Sequence, residues 1–320
     1  MNGISWTDQT WNPIVGCSHV SAGCDHCWAE RMAKLHYHSK FPNGWSKHGP
    51  ISFPERLEQP LHWRKPRRIA VALMGDLFHD AVPDEFIDKV FTMMAFCRRH
   101  TFQLLTKRPD RMHAYFLNDR PGHIDYTAGQ LMSQDFGYMV GSFKCLRQPN
   151  VAGGIEGWPL PNVWLGVSCE NQAAAAERIP LLLQTPAAVR FVSCEPLLGP
   201  INLDGDDAED IHALGCGGDC DCAPKLDWVI VGGETGPGAR PMHPDWARSL
   251  RDQCRAAGVP FHFKQWGEWR MFPRGSDCLL QGNIQSASQD DSLWFKRLGK
   301  KSSGRLLDGR EWLEFPEAKA

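Results

Sequence analysis

The chain has 320 residues, 42% hydrophobic and 22% charged, which is enough for a core of one large domain or two modest ones and too apolar for a disordered chain. Lys and Arg number 35 against 37 Asp and Glu, a net charge of −2 that excludes a uniformly basic nucleic-acid binder but leaves room for a basic groove. No apolar run reaches the roughly 18 residues of a membrane span, and "MNGISWTDQTW" has neither the basic start nor the apolar stretch of a signal peptide. The expectation is a cytoplasmic protein with no membrane partner. There its 12 cysteines stay mostly reduced, as buried thiols, metal ligands or catalytic groups.

In chain order, a cysteine-rich loop comes first. "GCSHVSAGCDHCWAERMA" (16–33) places Cys17, Cys24 and Cys27 within eleven positions and then runs into a helix. Short apolar or β-branched runs follow: "RIAVALMGDLF" (68–78), "TFQLLTKRPD" (101–110), "NVWLGVSCEN" (162–171), "VRFVSCEPLL" (189–198), "DWVIVGGETG" (227–236) and "VPFHFKQWGE" (259–268). Runs this continuous suit parallel strands covered on both faces. "PDEFIDKVFTMMAFCRRH" begins with proline and acids and ends with bases, the polarity that a helix dipole favours. "NQAAAAERIPLLLQT" and "HPDWARSLRDQCRAAG" follow strands in the same way.

This order predicts an α/β fold, a partial or full (β/α) barrel over residues 1–270. Two inserts interrupt it: 118–161, rich in Gly and Pro and long enough for a lid, and 204–225, an acidic stretch followed by "CGGDCDC". Residues 271–320 read as a polar C-terminal extension packed on the barrel.

A barrel of this kind gathers functional groups on the loops after its strands. Those positions hold Gly75-Asp76, Thr106-Lys107-Arg108, Ser168-Cys169-Glu170-Asn171, Ser193-Cys194-Glu195, Gly232-Gly233-Glu234 and Lys264-Gln265-Trp266. Two Ser-Cys-Glu copies at the same relative position favour a functional ring, although solvation alone also makes strand ends polar. Lys107 and Arg108 could hold a phosphate, and Trp266, near Lys264, could stack on a base. "HWRKPRRIA" (62–70) precedes a strand and reads as a solvated rim. Glu195, Glu234 and His243 are candidates for substrate contact or proton handling.

Three thiolates are one too few for a closed metal site. Zinc would use Cys24 and Cys27 with His19 or His26, but the next cysteine cluster lies about 190 residues on, far outside the usual spacing. A thioredoxin-like pair would leave Cys17 unused; without metal, all three would pack as small hydrophobes. An iron–sulfur cluster fits better. Three cysteines at a barrel mouth leave one iron of a 4Fe-4S cluster open to a substrate or cofactor. Separately, His212, Cys216, Cys220 and Cys222 could hold a second metal, zinc or an auxiliary cluster, or form a reduced loop.

The Cys-x6-Cys-x2-Cys loop, its following aromatic and the strand–helix barrel resemble the radical S-adenosylmethionine (SAM) proteins, whose usual spacing is Cys-x3-Cys-x2-Cys. More closely, "ISWTDQTWNPIVGCSHVSAGCDHCWAERMA", "MGDLFHDAVP", "LLTKRP", "FVSCEPLLGPI", "DWVIVGGETGPGARPMHPDWARSLRDQC" and "PFHFKQWGEW" are similar to the phage-associated three-cysteine-motif family, a radical-SAM-like domain of unknown function. The resemblance covers nearly the whole chain. It implies that Cys17, Cys24 and Cys27 ligate a 4Fe-4S cluster with Trp28 beside it. It further implies that Gly75 and Asp76 contact the SAM amino group, and that Ser168, Glu170 and Asn171 hold its ribose or carboxylate.

Reductive cleavage of SAM to methionine and a 5′-deoxyadenosyl radical is the implied chemistry, with an electron donor such as a flavodoxin or ferredoxin. Cys194 and Cys169 would return a hydrogen atom, as a cysteine does in the similar spore photoproduct lyases. The expected function is a radical SAM enzyme acting on a nucleic-acid or nucleotide-derived substrate. The alternatives are a non-catalytic Fe–S or zinc protein that binds nucleic acid or a partner, and a zinc-dependent hydrolase.

Overall fold

A computed structural model of the protein describes residues 4–37, 39–41, 45, 48–117, 122–124, 126–127, 158–204, 212–215, 224–273, 276, 284–286 and 293–317. Strand β1 (Gln9–Trp11) is followed by a short antiparallel pair, β2 (Ile14–Val15) and β3 (Ile51–Ser52). Then come β4 (Arg68–Val71), β5 (Thr101–Thr106), β6 (Val163–Ser168), β7 (Val189–Cys194), β8 (Trp228–Gly232) and β9 (Phe261–Gln265). Seven of these run parallel in the order β1-β4-β5-β6-β7-β8-β9, and the sheet curls into a half-barrel. The expectation of a partial barrel therefore holds, with β1 added at one edge.

Helix α1 (Trp28–His36) follows the cysteine loop, and α2 (Asp84–Phe96), α3 (Pro109–Leu117), α4 (Gln172–Gln184) and α5 (Pro244–Ala256) follow β4, β5, β6 and β8. The run at 68–78 does not stay a strand to its end. Ala72 takes a φ of 57°, so β4 stops at Val71 and residues 72–78 become a connection. No helix among the described residues is long and apolar enough to cross a membrane.

Side chains alternate between the two faces of a strand, and both faces here are buried. Val163, Leu165 and Val167 of β6, Val192 of β7 and Val229 and Val231 of β8 join the larger core with Ile87 and Phe91 of α2, Met112 of α3, Ile179 of α4 and Leu250 of α5. The alternate residues Trp164, Phe191, Trp228 and Ile230 point the other way, into the half-barrel, where they pack with Ala70 and Trp6. Gly166 and Phe191 are register partners on β6 and β7. A Cβ on Gly166 would stand 2.6 Å from the Phe191 ring, so this glycine makes the space the ring fills.

Both chain ends build the floor of the half-barrel. Trp6 meets Phe191 and Trp228 with centroids 6.5 Å away in each case, and Ser5 Oγ lies 2.8 Å from His262 Nε2. From the far end of the chain, Phe315 stacks on Trp228 at 5.1 Å and on His262 at 5.3 Å, with the Arg68 guanidinium 3.9 Å above it. Just before it, residues 312–314 run beside β9. Phe263 N–H donates to Trp312 O, and Glu314 N–H to Phe261 O, which covers an otherwise open strand edge. The rest of the extension forms an antiparallel sheet of β10 (Trp269–Pro273), β12 (Leu293–Arg297) and β11 (Ile284–Ser286), in that spatial order, and a single turn, α6 (Lys300–Ser303). Leu307 and Trp312 of this tail join the larger core.

Two outcomes follow from this packing. Gly166→Ala pushes a methyl into the Phe191 ring and should cost about 1–3 kcal/mol in urea denaturation, with Phe191→Leu restoring part of the loss. Full stability in Gly166→Ala alone would show that the ring has room to move.

Burial, with Lys264, Arg68 and Arg305 nearby, pushes His262 down to about 4. The folded chain keeps this ring neutral, whereas the unfolded chain takes up a proton below about 6.5. Its stabilisation is complete above that pH and is lost as the pH falls toward 4. The urea midpoint should therefore drop through this window, and less steeply in His262→Gln. Equal slopes in the two proteins would assign the acid sensitivity to other groups.

Candidate functional site

The cysteine loop sits over the ends of the strands because two glycines let backbone meet backbone. Gly16 and Gly75 form a parallel bridge, and Gly16 N–H donates to Met74 O at 2.9 Å. A Cβ on Gly75 would lie 2.8 Å from Gly16 O, and Gly16 itself has a φ of 105°. Gly75 therefore serves as a backbone contact for the loop. From there the chain makes one tight turn, Ala22–Cys24, and Cys27 stands at the N-cap of α1.

Lys107 and Arg108 reach this loop from the end of β5. Arg108 donates to Cys17 Sγ at 3.3 Å, to Ser18 O at 3.0 Å, to Ser18 Oγ at 2.8 Å and to Asp76 at 3.1 Å. Lys107 Nζ donates to Gly23 O at 3.2 Å and lies 3.8 Å from Cys24 Sγ. Asp76 also accepts from the Thr106 hydroxyl at 2.7 Å and from the backbone N–H of Phe78 and Lys107. Asp76 is thus buried and committed to holding Arg108. His79 Nδ1 accepts the Ala81 N–H, which leaves Nε2 to donate to Ser18 Oγ at 2.9 Å.

Burial and the nearby Asp76 push the Cys17 thiol up to about 11, with Arg108 pulling the other way. Burial likewise raises Cys27, against Lys107 and the backbone N–H groups of Glu30 and Ala29. Metal binding would expel these protons, since a coordinating thiol is held deprotonated. The donor set fits an iron–sulfur cluster: three soft thiols, with N–H donors aimed at two of the sulfurs, as clusters use to tune their charge. Among the described residues no three His, Cys, Asp or Glu side chains converge on one ion.

A second clamp holds the loop from the β8 side. Glu234, 5% exposed, accepts from Arg240 through both oxygens at 2.6 and 2.9 Å and lies 3.3 Å from His26 Nδ1. Arg240 continues to Ala22 O at 2.8 Å and Asp25 at 3.2 Å. Although burial opposes it, Arg240 and His26 hold the Glu234 carboxyl below the usual range. Glu170 is held similarly: burial raises it, but the Ser21 hydroxyl, Arg178 and Lys107 outweigh that. Its ion pair with Arg178, at 3.0 Å, is buried on both sides, and Arg178 also donates to Ser168 O at 2.7 Å.

Beneath the loop lies a cavity of about 450 Å³ whose lining includes Cys27, Trp28, Lys107, Glu195, Glu234 and Lys264. Trp28 is 42% exposed, with Leu73, Leu105 and Trp6 among the other apolar lining groups. Lys264 Nζ donates to both Glu195 oxygens, at 2.6 and 2.8 Å.

Several expected roles do not survive the placement of the residues. Cys169 and Cys194 are fully buried in the core between sheet and helices, on the outward face of β6 and β7, so neither thiol meets the cavity or can return a hydrogen there. The same alternation sends Ser193 and Glu195 inward. Asn171 caps α4 by accepting the Ala174 N–H at 3.0 Å, and His243 caps α5 by accepting the Asp245 N–H at 3.2 Å. Trp266 packs on Phe263 at 4.8 Å and donates to Leu306 O at 2.9 Å, anchoring the extension instead of stacking on a base. Of the proposed second metal site, His212 is exposed and 3.9 Å from Asp204, while Cys216, Cys220 and Cys222 lie outside the described residues. Most of the 118–161 insert does too.

Arg240 went unnoticed in the sequence, and His26, read there as a possible zinc ligand, instead faces Glu234. Arg240 had a faint signal, a lone base six residues after a strand-end acid, but only the fold shows that it spans to Ala22.

These features define an α/β half-barrel protein with a three-cysteine loop across the mouth of its sheet. The chain belongs to the family described as protein of unknown function (DUF5131), whose model matches residues 1–316. Comparisons with curated proteins and with solved structures gave no match.

Arg240→Met removes a charged hydrogen-bond partner from Glu234, typically about 1.5–3 kcal/mol. The loss falls on the contact between loop and β8. Alkylation of Cys24, 8% exposed, should therefore speed up several-fold in the metal-free protein while Cys194 stays protected. An unchanged Cys24 rate would show that Lys107 and Arg108 suffice to hold the loop.

Proposed function

We propose that the protein is a radical SAM enzyme acting on a nucleic-acid or nucleotide-derived substrate, with Cys17, Cys24 and Cys27 as the ligands of a 4Fe-4S cluster. One observation carries this reading. A three-thiol loop, two cations directed at its sulfurs and a cavity beside Cys27 and Trp28 meet at one end of the half-barrel. When bound, such a cluster supplies the electron for reductive cleavage of SAM.

The chain's own groups support that use in several ways. Arg108 and Lys107 place positive charge and N–H donors beside the sulfurs of Cys17 and Cys24. Cavity charges of both signs, Lys107 and Lys264 against Glu195 and Glu234, suit a zwitterionic amino-acid group. The exposed face of Trp28 offers a stacking surface for an adenine. Below, the aromatic floor of Trp6, Phe191 and Trp228 keeps water from entering through the far end. A flavodoxin or ferredoxin would deliver the electron. Asp76 acts in this scheme as a positioning residue for Arg108.

The test is anaerobic purification, iron and acid-labile sulfide analysis, and EPR of the reduced protein with and without SAM. About four irons and four sulfides per chain, lost on Cys17→Ser, Cys24→Ser and Cys27→Ser replacement, with a spectrum that shifts on adding SAM, is the expected result. A cluster blind to SAM would leave a non-catalytic Fe–S protein, and zinc without sulfide would end the radical reading.

A further inference from the structure

Beside the central cavity lies a second space whose charged lining is wholly basic. A recess of about 590 Å³ lies where β9, the N-terminal segment and α6 meet, and Lys264, Lys300, Lys301 and Arg305 are its charged lining residues. Lys264, Gln265 and Lys300 line both the recess and the central cavity, so the two spaces adjoin. Among the described residues no carboxylate lines the recess.

The nearby acids are already engaged. Glu195 is held by Lys264 at 2.6 Å, Glu311 takes Arg305 at 2.7 Å, and Glu268 accepts the Gly236 N–H at 2.9 Å. Lys300 and Lys301 make no ion pair among the described residues, and the Glu195 and Glu268 carboxylates act on Lys300 only from a distance. Partial burial and the neighbouring Lys264 hold the Lys300 ammonium below the usual lysine range, a strain that an incoming anion would relieve. On the far side of those shared residues, the central cavity is lined by Trp28, Trp6, Leu73 and Leu105. A molecule that fits both ends carries a phosphate on one side and a flat apolar ring on the other.

We propose that Lys300 and Lys301 form the phosphate-binding mouth of the site, gripping the phosphoryl group of a nucleotide, free or within a single strand, while its base enters the central cavity. This takes its substrate class from the function proposed above but is independent of the cysteines. It also moves the phosphate contact away from the Arg108 of the sequence reading, which Asp76, Ser18 and Cys17 occupy. Lysines act here as point charges, which suits a backbone or terminal phosphate without base selection.

The test uses the full chain with Cys17, Cys24 and Cys27 replaced by Ser, so that a missing cluster cannot be confused with a missing mouth. Binding of a mononucleotide and of a labelled single-stranded oligonucleotide is measured across a range of salt, with inorganic phosphate as competitor. Lys300→Glu with Lys301→Glu should weaken binding at least tenfold, and the milder Lys300→Gln with Lys301→Gln should weaken it less, both with an unchanged thermal midpoint. Arg64→Glu with Lys65→Glu, in the basic run before β4, should have no effect. Tight mononucleotide binding with no gain from the strand identifies a free nucleotide. A strand preferred over the mononucleotide, with a salt slope that falls by about 1.4 on losing two contacts, identifies backbone phosphate. If neither ligand binds, or if both bind the charge-reversed variant unchanged, the proposal is overturned. Failure of SAM to perturb a cluster in the wild-type protein would instead count only against the radical reading.

Discussion

Strand alternation is the constraint on which the site depends. In a parallel sheet with both faces buried, each strand end must send one residue toward the helices and the next into the half-barrel. At β7 this separates Cys194, which packs outward, from Ser193 and Glu195, which face the cavity. At the end of β5 it splits Lys107 from Arg108: Lys107 lines the cavity, while Arg108 is buried against Asp76. Both still reach the cysteine loop, because the Gly16–Gly75 bridge lays that loop across the strand end. One loop is thereby tied to two faces of the sheet.

The polar ring above the strands is mainly a ring of ion pairs. Asp76 is matched by Arg108, Glu170 by Arg178, Glu195 by Lys264 and Glu234 by Arg240. Removing one member of a buried pair strands its partner without solvent, so the pairs hold one another in place. Lys107 differs, making no ion pair among the described residues and contacting Gly23 O and Cys24 instead. Its charge remains available to whatever the loop and cavity hold.

Closure of the half-barrel falls to the two ends of the chain. Trp6 and Phe315 meet on Trp228 from opposite termini, and residues 312–314 cover the β9 edge. A seven-strand sheet leaves its interior open on one side, and without these segments Phe191 and Trp228 would face water. The same closure brings Lys300 and Lys301 beside Lys264, giving the cavity its basic flank.

By itself, the sequence determined the α/β class, the six later strands of the sheet, the helices α1, α2, α4 and α5 but not α3, and the cysteine loop, because continuous apolar runs, helix polarity and close cysteine spacing are local properties. Alternation along each strand was legible, but which face is the interior was not: only the fold shows Trp164 and Phe191 pointing into the half-barrel and Cys169 and Cys194 outward. What only the tertiary structure decided were the contacts between distant segments. Arg240 on Ala22, Arg108 on Cys17, Phe315 on Trp228 and Lys300 beside Lys264 each depend on how the sheet curls. The caps formed by Asn171 and His243 show the same limit from the other side. A polar residue at a strand end looks alike in sequence whether it faces a ligand or satisfies the first turn of a helix, and only the backbone geometry separates the two.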